Sequence, residues 1–208
     1  MIARQAKLAY QIPGGWHTSG SHPDDYIIGI DTCVHRHGKA SGSIRSKPTQ
    51  HDGYVTLMQN IRAGRYREQR MRLSGYARAS NITSWAGLWM RIDSAQADVL
   101  EFDNMENRPI IGTTDWQPVA VVLDVPANSV LIAFGLLLTG QGQVWIDGLQ
   151  FEAVGAEVAS TNMPFETPAP GSAEEIAENR RRQEHLELLP KKLKRSPWEP
   201  VNLDFGMR

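Results

Sequence analysis

The sequence predicts an all-β sandwich or barrel that is followed by a C-terminal helix and tail. Glycine and proline account for 18 and 12 of the 208 residues and divide the first three quarters of the chain into short segments. Between these breaks apolar and polar residues mostly alternate, as they do in strands with one buried face. No long helix is indicated before residue 155, which argues against a parallel α/β fold, because that fold needs crossover helices.

Nine short strands are predicted in order along the chain, bounded by Gly, Pro, Asn and Asp, which favour turns. Most alternate in polarity from one residue to the next. The run 130–138 is instead apolar on both faces, as expected for a central strand that is covered on both sides. The predicted strands are 26–32, 40–47, 54–61, 70–79, 85–93, 99–103, 117–125, 129–138 and 143–154.

The character of the sequence changes after residue 154. Three prolines lie between residues 161 and 171 and indicate a linker. Ser172 is a candidate helix N-cap, and Glu175 occupies the capping-box position three residues later. A helix of about four to five turns should follow and end near Leu189, before Pro190. The predicted domains are a sandwich over 1–154, a linker over 155–171, and a helix with a tail strand over 172–208.

Charge and composition exclude several classes of protein. Lys and Arg number 22 and Asp and Glu 23, so the net charge is −1 and a general nucleic-acid binder is not expected. The longest apolar run is about half the length of a membrane-spanning helix, and no apolar segment of a secretory signal is visible at the N-terminus. A single cysteine, Cys33, excludes an internal disulfide. We therefore expect a cytoplasmic protein with no nucleic-acid or membrane partner.

The candidate binding surface is a sheet face that carries aromatic and arginine side chains. Trp85, Trp89 and Arg91 project from one side of their strand, because their positions in the sequence differ by even numbers. Tyr76 and Arg78 project in the same way from a neighbouring strand. Indole rings offer platforms to sugars and other cyclic ligands, and guanidinium groups hydrogen-bond hydroxyls and carboxylates. The alternative is that a loop or the C-terminal helix covers this face and makes it a second small core.

Two acidic positions are further candidates. Asp103, with Asn104 at the rim of the same surface, lies beside a loop between strands, and a carboxylate near aromatic side chains can act as a general acid. The alternative for both is ordinary turn chemistry. Asp147, near the end of the sandwich, could join loop carbonyls in a calcium site. Its alternative is a solvent-facing aspartate near a turn.

Several motifs occur together in a specific combination, among them Trp85-Ala-Gly-Leu-Trp-Met-Arg91, Phe102-Asp-Asn-Met105 and Gly112-Thr-Thr-Asp-Trp116. Over about residues 14–154 the chain resembles a bacterial domain of the galactose-binding-like jelly-roll type. This domain is found alone or attached to AraC-type transcriptional regulators, where it is expected to sense a small molecule. The end of the chain, Pro200-Val-Asn-Leu-Asp-Phe205, also resembles the tails of family members.

The resemblance implies a jelly-roll fold. The wider superfamily includes carbohydrate-binding modules, which bind on a concave sheet or in loops and often hold calcium. It also includes calcium-dependent cyclases of the hapalindole type. No helix-turn-helix precedes residue 14, so direct DNA binding is not expected of this chain.

Three functions remain open from the sequence. The first is binding of a carbohydrate-like or cyclic apolar ligand by the aromatic and arginine face. The second is a cyclase or isomerase in which Asp103 transfers a proton. The third is a structural or assembly role, in which residues 201–205 add a strand to a sandwich edge of the same chain or of a second copy in a homo-oligomer.

Overall fold

The computed structural model describes residues 11–48, 53–163 and 168–206. Within these residues it contains nine strands and one α-helix, with short 3₁₀ turns before β2 and after β4. The strands are β1 (His17–Gly20), β2 (Tyr26–Asp31), β3 (Ser41–Ser46), β4 (Tyr54–Arg62), β5 (Arg70–Ser94), β6 (Val99–Asp103), β7 (Ile110–Asp124), β8 (Ser129–Thr139) and β9 (Gln143–Val154), and the helix is α1 (Ala173–Arg195).

The long strand β5 belongs to both layers of the sandwich. Its first half pairs with β7 and β9, and its second half pairs with β8 and β6. Register shifts between Ala77 and Ala86 mark the bend between the two halves. One layer therefore has the order β1-β4-β8-β5-β6, and the other has the order β7-β5-β9-β3-β2, with every pairing antiparallel. The predicted jelly-roll sandwich is confirmed.

The core lies between the two layers and follows the alternation in the sequence. In the first half of β5, Met71 and Leu73 are buried while Arg72 and Ser74 are partly exposed. In the second half residues 86–90 are all buried, and Leu88 is fully buried in the same cluster. Each fully buried Leu, Ile or Phe side chain contributes about 1.5–3 kcal/mol. Residues from both layers thus form one continuous apolar core.

The strands differ from those expected in three places. The predicted strands 70–79 and 85–93 are one strand, because residues 80–84 stay paired through bulges although four of them are polar and Asn81 has a φ of +55°. Strand β7 begins at Ile110 instead of residue 117. Strand β1 has no apolar alternation and was not predicted; it is an exposed edge that pairs with β4.

Helix α1 begins where the capping box predicted but ends later. The Ser172 hydroxyl accepts a hydrogen bond from the Glu175 amide, as an N-cap does. The helix then continues through Pro190 to Arg195, so the predicted end near Leu189 is wrong. A proline inside a helix removes one backbone hydrogen bond and is unfavourable. Tertiary contacts compensate for this loss in the last turn.

Arg62 of β4 holds the end of α1. Its Nε donates to the carbonyl oxygens of Leu193, at 3.0 Å, and Ser196, at 3.1 Å. Its backbone amide donates to the carbonyl of Pro197 at 2.9 Å. Leu189, on the same helix, is 3% exposed. The helix is therefore fixed along one end of the β1-β4-β8-β5-β6 layer.

The C-terminal tail, defined here as residues 196–206, is not the strand that was predicted over 201–205. It contains a turn at Leu203 and Asp204, and it packs into the sandwich of its own chain. The Phe205 ring is fully buried in the core, with its centroid 5.1 Å from that of Trp16. Side-chain insertion rather than strand pairing attaches this segment.

No helix in the described part of the chain has the length and apolar character needed to cross a membrane.

Candidate functional site

The predicted aromatic and arginine residues lie in two separate places. Trp89 and Arg91 are in the second half of β5, opposite residues of β8. Tyr76 and Arg78 are in the first half, between β7 and β9. Trp85 lies at the start of the second half and is partly buried. Because β5 bends between the layers, these five side chains do not form one ligand surface.

The ring of Trp89 is not exposed to solvent. It is 8% exposed and packs against Met58 and Ala133, with Phe102 beside them. Its indole Nε1 donates to Thr56 Oγ1 at 2.6 Å. This small cluster on the outer side of the layer matches the alternative reading of a second core. The expected platform for a sugar ring is therefore closed at this position.

Arg91 is held by an acidic partner and by helix α1. Its Nε lies 2.8 Å from Asp93 Oδ1, and its Nη2 lies 3.1 Å from His185 Nδ1. Burial lowers the pKa of His185 more than the nearby Asp93 carboxylate raises it. Burial likewise lowers the pKa of Lys192, on the same face of the helix. The helix thus covers this end of the predicted surface, and Arg91 supplies the charge that balances Asp93.

Asp103 and Asn104 act within their own loop. The Asp103 carboxylate is fully buried, accepts a hydrogen bond from the Met105 amide at 2.8 Å, and forms an ion pair with Arg108. Asn104 Oδ1 accepts a hydrogen bond from the Glu106 amide at 3.1 Å. This is turn chemistry. The Asp103 carboxylate, predicted as a general acid, is therefore engaged in a hydrogen bond and an ion pair within its own loop.

Asp147 anchors the β2–β3 loop, residues 32–40. Its Oδ2 accepts hydrogen bonds from the amides of Arg36, at 2.6 Å, and His37, at 2.7 Å, and its Oδ1 accepts one from Gly148 at 2.6 Å. Both oxygens therefore face donors. Across residues 11–48, 53–163 and 168–206, no group of three His, Cys, Asp or Glu side chains is placed to hold a metal ion. The calcium site predicted for Asp147, which would draw its other ligands from loop carbonyls, stays a prediction.

A second buried carboxylate holds the other end of the same loop. Asp31 Oδ1 accepts from the amides of Cys33, at 2.8 Å, and Val34, at 3.0 Å. Its Oδ2 accepts from the indole Nε1 of Trp145 at 2.8 Å. The guanidinium of Arg78 lies 5.9 Å from the centre of the Trp145 ring. Two carboxylates thus hold the backbone of the β2–β3 loop by hydrogen bonds.

An open cleft of about 560 Å³ lies between this loop and the tail; we call it the tail cleft. Tyr76 stands beside it, since a Cβ on Gly148 would lie 3.7 Å from the tyrosine ring. The Arg36 guanidinium lies 3.5 Å from the centre of that ring, and the His37 ring lies 5.6 Å from it. The cleft is lined by Gly14, His37, Gly38, Asp147, Gly148, Leu149, Pro200, Val201, Asn202, Leu203 and Asp204.

The tail forms one wall of the cleft and is held by polar contacts. The buried Gln59 side chain pairs with the backbone of Val201, donating to its carbonyl at 2.6 Å and accepting from its amide at 3.1 Å. Trp16 Nε1 donates to the Asn202 carbonyl at 3.1 Å. Gly15 has a φ of +84°, and any side chain there would collide with Val201. The close approach of the tail therefore requires glycine at this position.

Two comparisons concern the sequence. No protein-family model matches the chain. A curated relative, the uncharacterized HTH-type transcriptional regulator YbfP of Bacillus subtilis (strain 168), is 51% identical over 150 residues. The match covers 72% of this chain and 51% of the regulator, so the chain spans about half the length of that protein.

Solved structures share the fold at low sequence identity. The CBM22-1 xylan-binding domain of Paenibacillus barcinonensis Xyn10C matches with a TM-score of 0.50 and 13% identity, over 68% of this chain and 87% of that domain. The chain is a jelly-roll β-sandwich that is similar in sequence to about half of a transcriptional regulator. The enzymatically active domain of tailspike protein 4 of bacteriophage CBA120 matches this jelly-roll domain with a TM-score of 0.53 and 15% identity, over 68% of this chain and 20% of that chain.

Sequence reasoning did not find the tail cleft of this jelly-roll domain. Its walls come from the Gly14 turn, the β2–β3 loop, the turn after Asp147, and the tail, which are far apart in the chain. One usable signal was present. A glycine pair stands directly before Trp16, and the tail carries an apolar residue, Phe205, that needs a place to be buried. Nothing in the sequence pattern connects those two segments with each other or with His37.

Proposed function

We propose that the protein is a small-molecule-binding module whose ligand, a carbohydrate or a similar polyhydroxylated molecule, occupies the tail cleft. The observation that carries the proposal is an open concavity of about 560 Å³ built on a rigid sandwich. Ligand sites commonly measure about 300–1,000 Å³. The carboxylates of Asp31 and Asp147 support it by fixing one wall in advance, which lowers the cost of ordering that wall on binding.

The lining of the cleft favours a neutral ligand with hydroxyl groups. The His37 ring offers hydrogen-bonding groups, and Leu149 and Leu203 offer apolar surface to ring carbons. The Asp147 carboxylate is already occupied by backbone amides, and the second carboxylate of the lining, Asp204, is of a kind that accepts hydrogen bonds from hydroxyl groups. The xylan-binding domain named above has the same fold and binds a polysaccharide, which adds support for this ligand class.

The relationship to half of a transcriptional regulator supports a sensing role for this module. In that role the domain would bind the small molecule, and other parts of a regulator would contact DNA. The cyclase alternative has less support, because Asp103, the acid it requires, is paired with Arg108.

Replacing Gly14 by tryptophan should block the cleft without disturbing the fold. A Cβ at Gly14 would meet no atom within 4 Å, and this residue lines the cleft. We expect Gly14→Trp to keep the Tm of the wild type and to weaken carbohydrate binding by about tenfold or more, since steric exclusion removes most of the contact area. Calorimetric titration with D-galactose, D-xylose and xylotetraose measures the effect.

The control is Glu106→Trp, which adds the same side chain at an exposed loop position outside the cleft. Glu106→Trp should bind like the wild type. Equal binding by Gly14→Trp and the wild type would move the site away from the cleft. Failure of all three sugars to bind the wild type would reject the carbohydrate proposal.

A further inference from the structure

We propose that helix α1 docks on the β1-β4-β8-β5-β6 layer through a pH-sensitive contact, and that protonation of His185 weakens this docking. The proposal goes beyond the tail cleft and does not depend on the ligand that the cleft would bind. It assigns a role to the buried charged groups at the interface between α1 and the sheet, which the proposed function leaves unused.

The second half of α1 carries the residues that pack on the sandwich. Residues 176–184 are exposed, and Leu189 is the buried residue of the helix. From residue 185 onward, the positions that are at least partly covered follow the spacing of one helix face. They are His185, Leu189, Lys192 and Leu193. Two of these four side chains carry ionisable groups, so a change of charge acts directly on a small docking contact.

The contacts of His185 require a neutral imidazole ring. Arg91 Nη2 lies 3.1 Å from His185 Nδ1 and donates to Asp93 Oδ2, also at 3.1 Å. A guanidinium group has donors and no acceptor, so Nδ1 must accept this hydrogen bond and carry no proton. The ring proton is then on Nε2, which lies 3.4 Å from Asp93 Oδ2. Protonation of Nδ1 would place an N–H group against the Arg91 guanidinium and break the contact.

Burial and charge balance both disfavour a proton on His185. Its side chain is 12% exposed, and the Asp93 side chain beside it is fully buried. Arg91 already balances the charge of Asp93, with Nε 2.8 Å from Oδ1. Burial and the positive charges of Arg91 and Lys192 therefore hold the pKa of His185 below its ordinary value, although the Asp93 carboxylate acts in the opposite direction.

The other charged groups at the interface add positive charge around His185. Burial and the charge of Arg91 lower the pKa of Lys192, and burial and the charge of Lys192 lower the pKa of His17. The groups of the packed elements are Asp93 and Arg91 of β5, His17 of β1, Arg62 of β4, whose Nε donates to carbonyls at the end of α1, and Lys192 of α1 itself. Asp93 is the carboxylate that acts on His185, and it is shared with Arg91.

The sign of the pH effect follows from linkage between protonation and docking. A histidine whose pKa is lowered in the docked state binds its proton more readily once the helix is released. The stabilisation of docking by neutral His185 is therefore complete above pH 6.5, the ordinary pKa of histidine, and is lost as the pH falls from there through the lower pKa of the docked state. Release of α1 uncovers Arg91 and Asp93 at one end of the layer.

The test measures amide hydrogen exchange in α1 as protection factors, which removes the intrinsic effect of pH on exchange. In the wild type, protection of residues 186–195 should fall at least about threefold between about pH 7.5 and about pH 5.5, since the difference in proton affinity becomes a difference in docking. Protection of β8, which lies in the core, should stay constant over the same range.

His185→Gln removes the titration and keeps the contact, because its side-chain carbonyl can accept from Arg91 and its NH₂ group can donate to Asp93. Protection of residues 186–195 in this variant should be the same at both pH values. His35→Gln is the matched control, since His35 is an exposed histidine of the β2–β3 loop, and it should keep the response of the wild type. His17→Gln should also keep a fall in protection.

Titration of the His185 imidazole by NMR gives a result that needs no variant. A pKa below 6.5 is expected in the wild type. A pKa above 6.5 would show that Asp93 stabilises the protonated ring and would overturn the proposal. Constant protection of α1 in the wild type, or an unchanged fall in protection in His185→Gln, would overturn it as well. None of these measurements uses a sugar, so they stand apart from the test of the tail cleft.

Discussion

Replacing Phe205 by alanine should lower the free energy of unfolding by about 3–5 kcal/mol, the cost of removing a buried aromatic side chain. The ring is fully buried against Trp16, and it fills the space above Gly42, where a Cβ would lie 2.6 Å from it. Phe205 has a φ of +52°, and alanine meets the same backbone constraint, so the loss reports on the ring. Urea denaturation measures the change.

The same experiment tests how the tail is attached. Leu188→Ala is the control, because Leu188 is 50% exposed on α1 and its truncation should cost less than about 0.5 kcal/mol. Phe205→Ala should also widen the tail cleft and weaken carbohydrate binding, although Phe205 does not line the cleft. A loss of stability below about 1 kcal/mol would show that the tail is not part of the core.

The Asp147→Asn variant should lose about 2–4 kcal/mol of stability, because hydrogen bonds to charged groups contribute about 1.5–3 kcal/mol and an unsatisfied buried donor is costly. The carboxylate is 2% exposed and accepts bonds from three backbone amides, those of Arg36, His37 and Gly148. An asparagine side chain has one carbonyl oxygen, so its NH₂ group must face at least one of these donors. Hydrogen exchange in residues 33–38 should accelerate as the loop is released.

Asp115→Asn is the matched control for this substitution. The Asp115 side chain is 90% exposed and lies 3.9 Å from its partner Arg78, so its charge should contribute little. Unchanged loop protection in Asp147→Asn would contradict the anchoring role. A calcium-induced rise in Tm that occurs in the wild type and is lost in Asp147→Asn would instead assign Asp147 to a metal site.

Much of the fold could be predicted from the sequence because alternation reports directly on burial. In the first half of β5, residues 70–79 alternate between partly exposed and buried, as their period of two requires. The errors occur where tertiary contacts override local signals. The mostly polar segment 80–84 indicates a turn, yet Ile82 pairs with Gly112 of β7 and keeps the segment in the strand. Pro190 indicates the end of a helix, yet α1 continues to Arg195, where Arg62 donates hydrogen bonds to the carbonyls of Leu193 and Ser196.

The candidate site was much harder to predict. Alternation shows which side chains share one face of a strand, but it does not show which other segment of the chain covers that face. Trp89 and Arg91 do project to the same side, as expected. The pattern carries no information about helix α1, whose His185 contacts Arg91, or about the bend that separates Tyr76 from Trp89. The tail cleft depends on where residues 200–204 dock, and that position is set by the burial of Phe205 between distant segments.

The most direct test of the central claim, that the tail cleft is the ligand site, is a titration of the isotope-labelled protein with D-galactose, D-xylose and xylotetraose followed by NMR. The largest shifts should occur at the backbone amides of Gly38, Gly148 and Asn202, which line the cleft. Shifts centred on the indole N–H groups of Trp85 and Trp89, with those three amides unmoved, would contradict the account and return the site to the opposite layer of the sandwich.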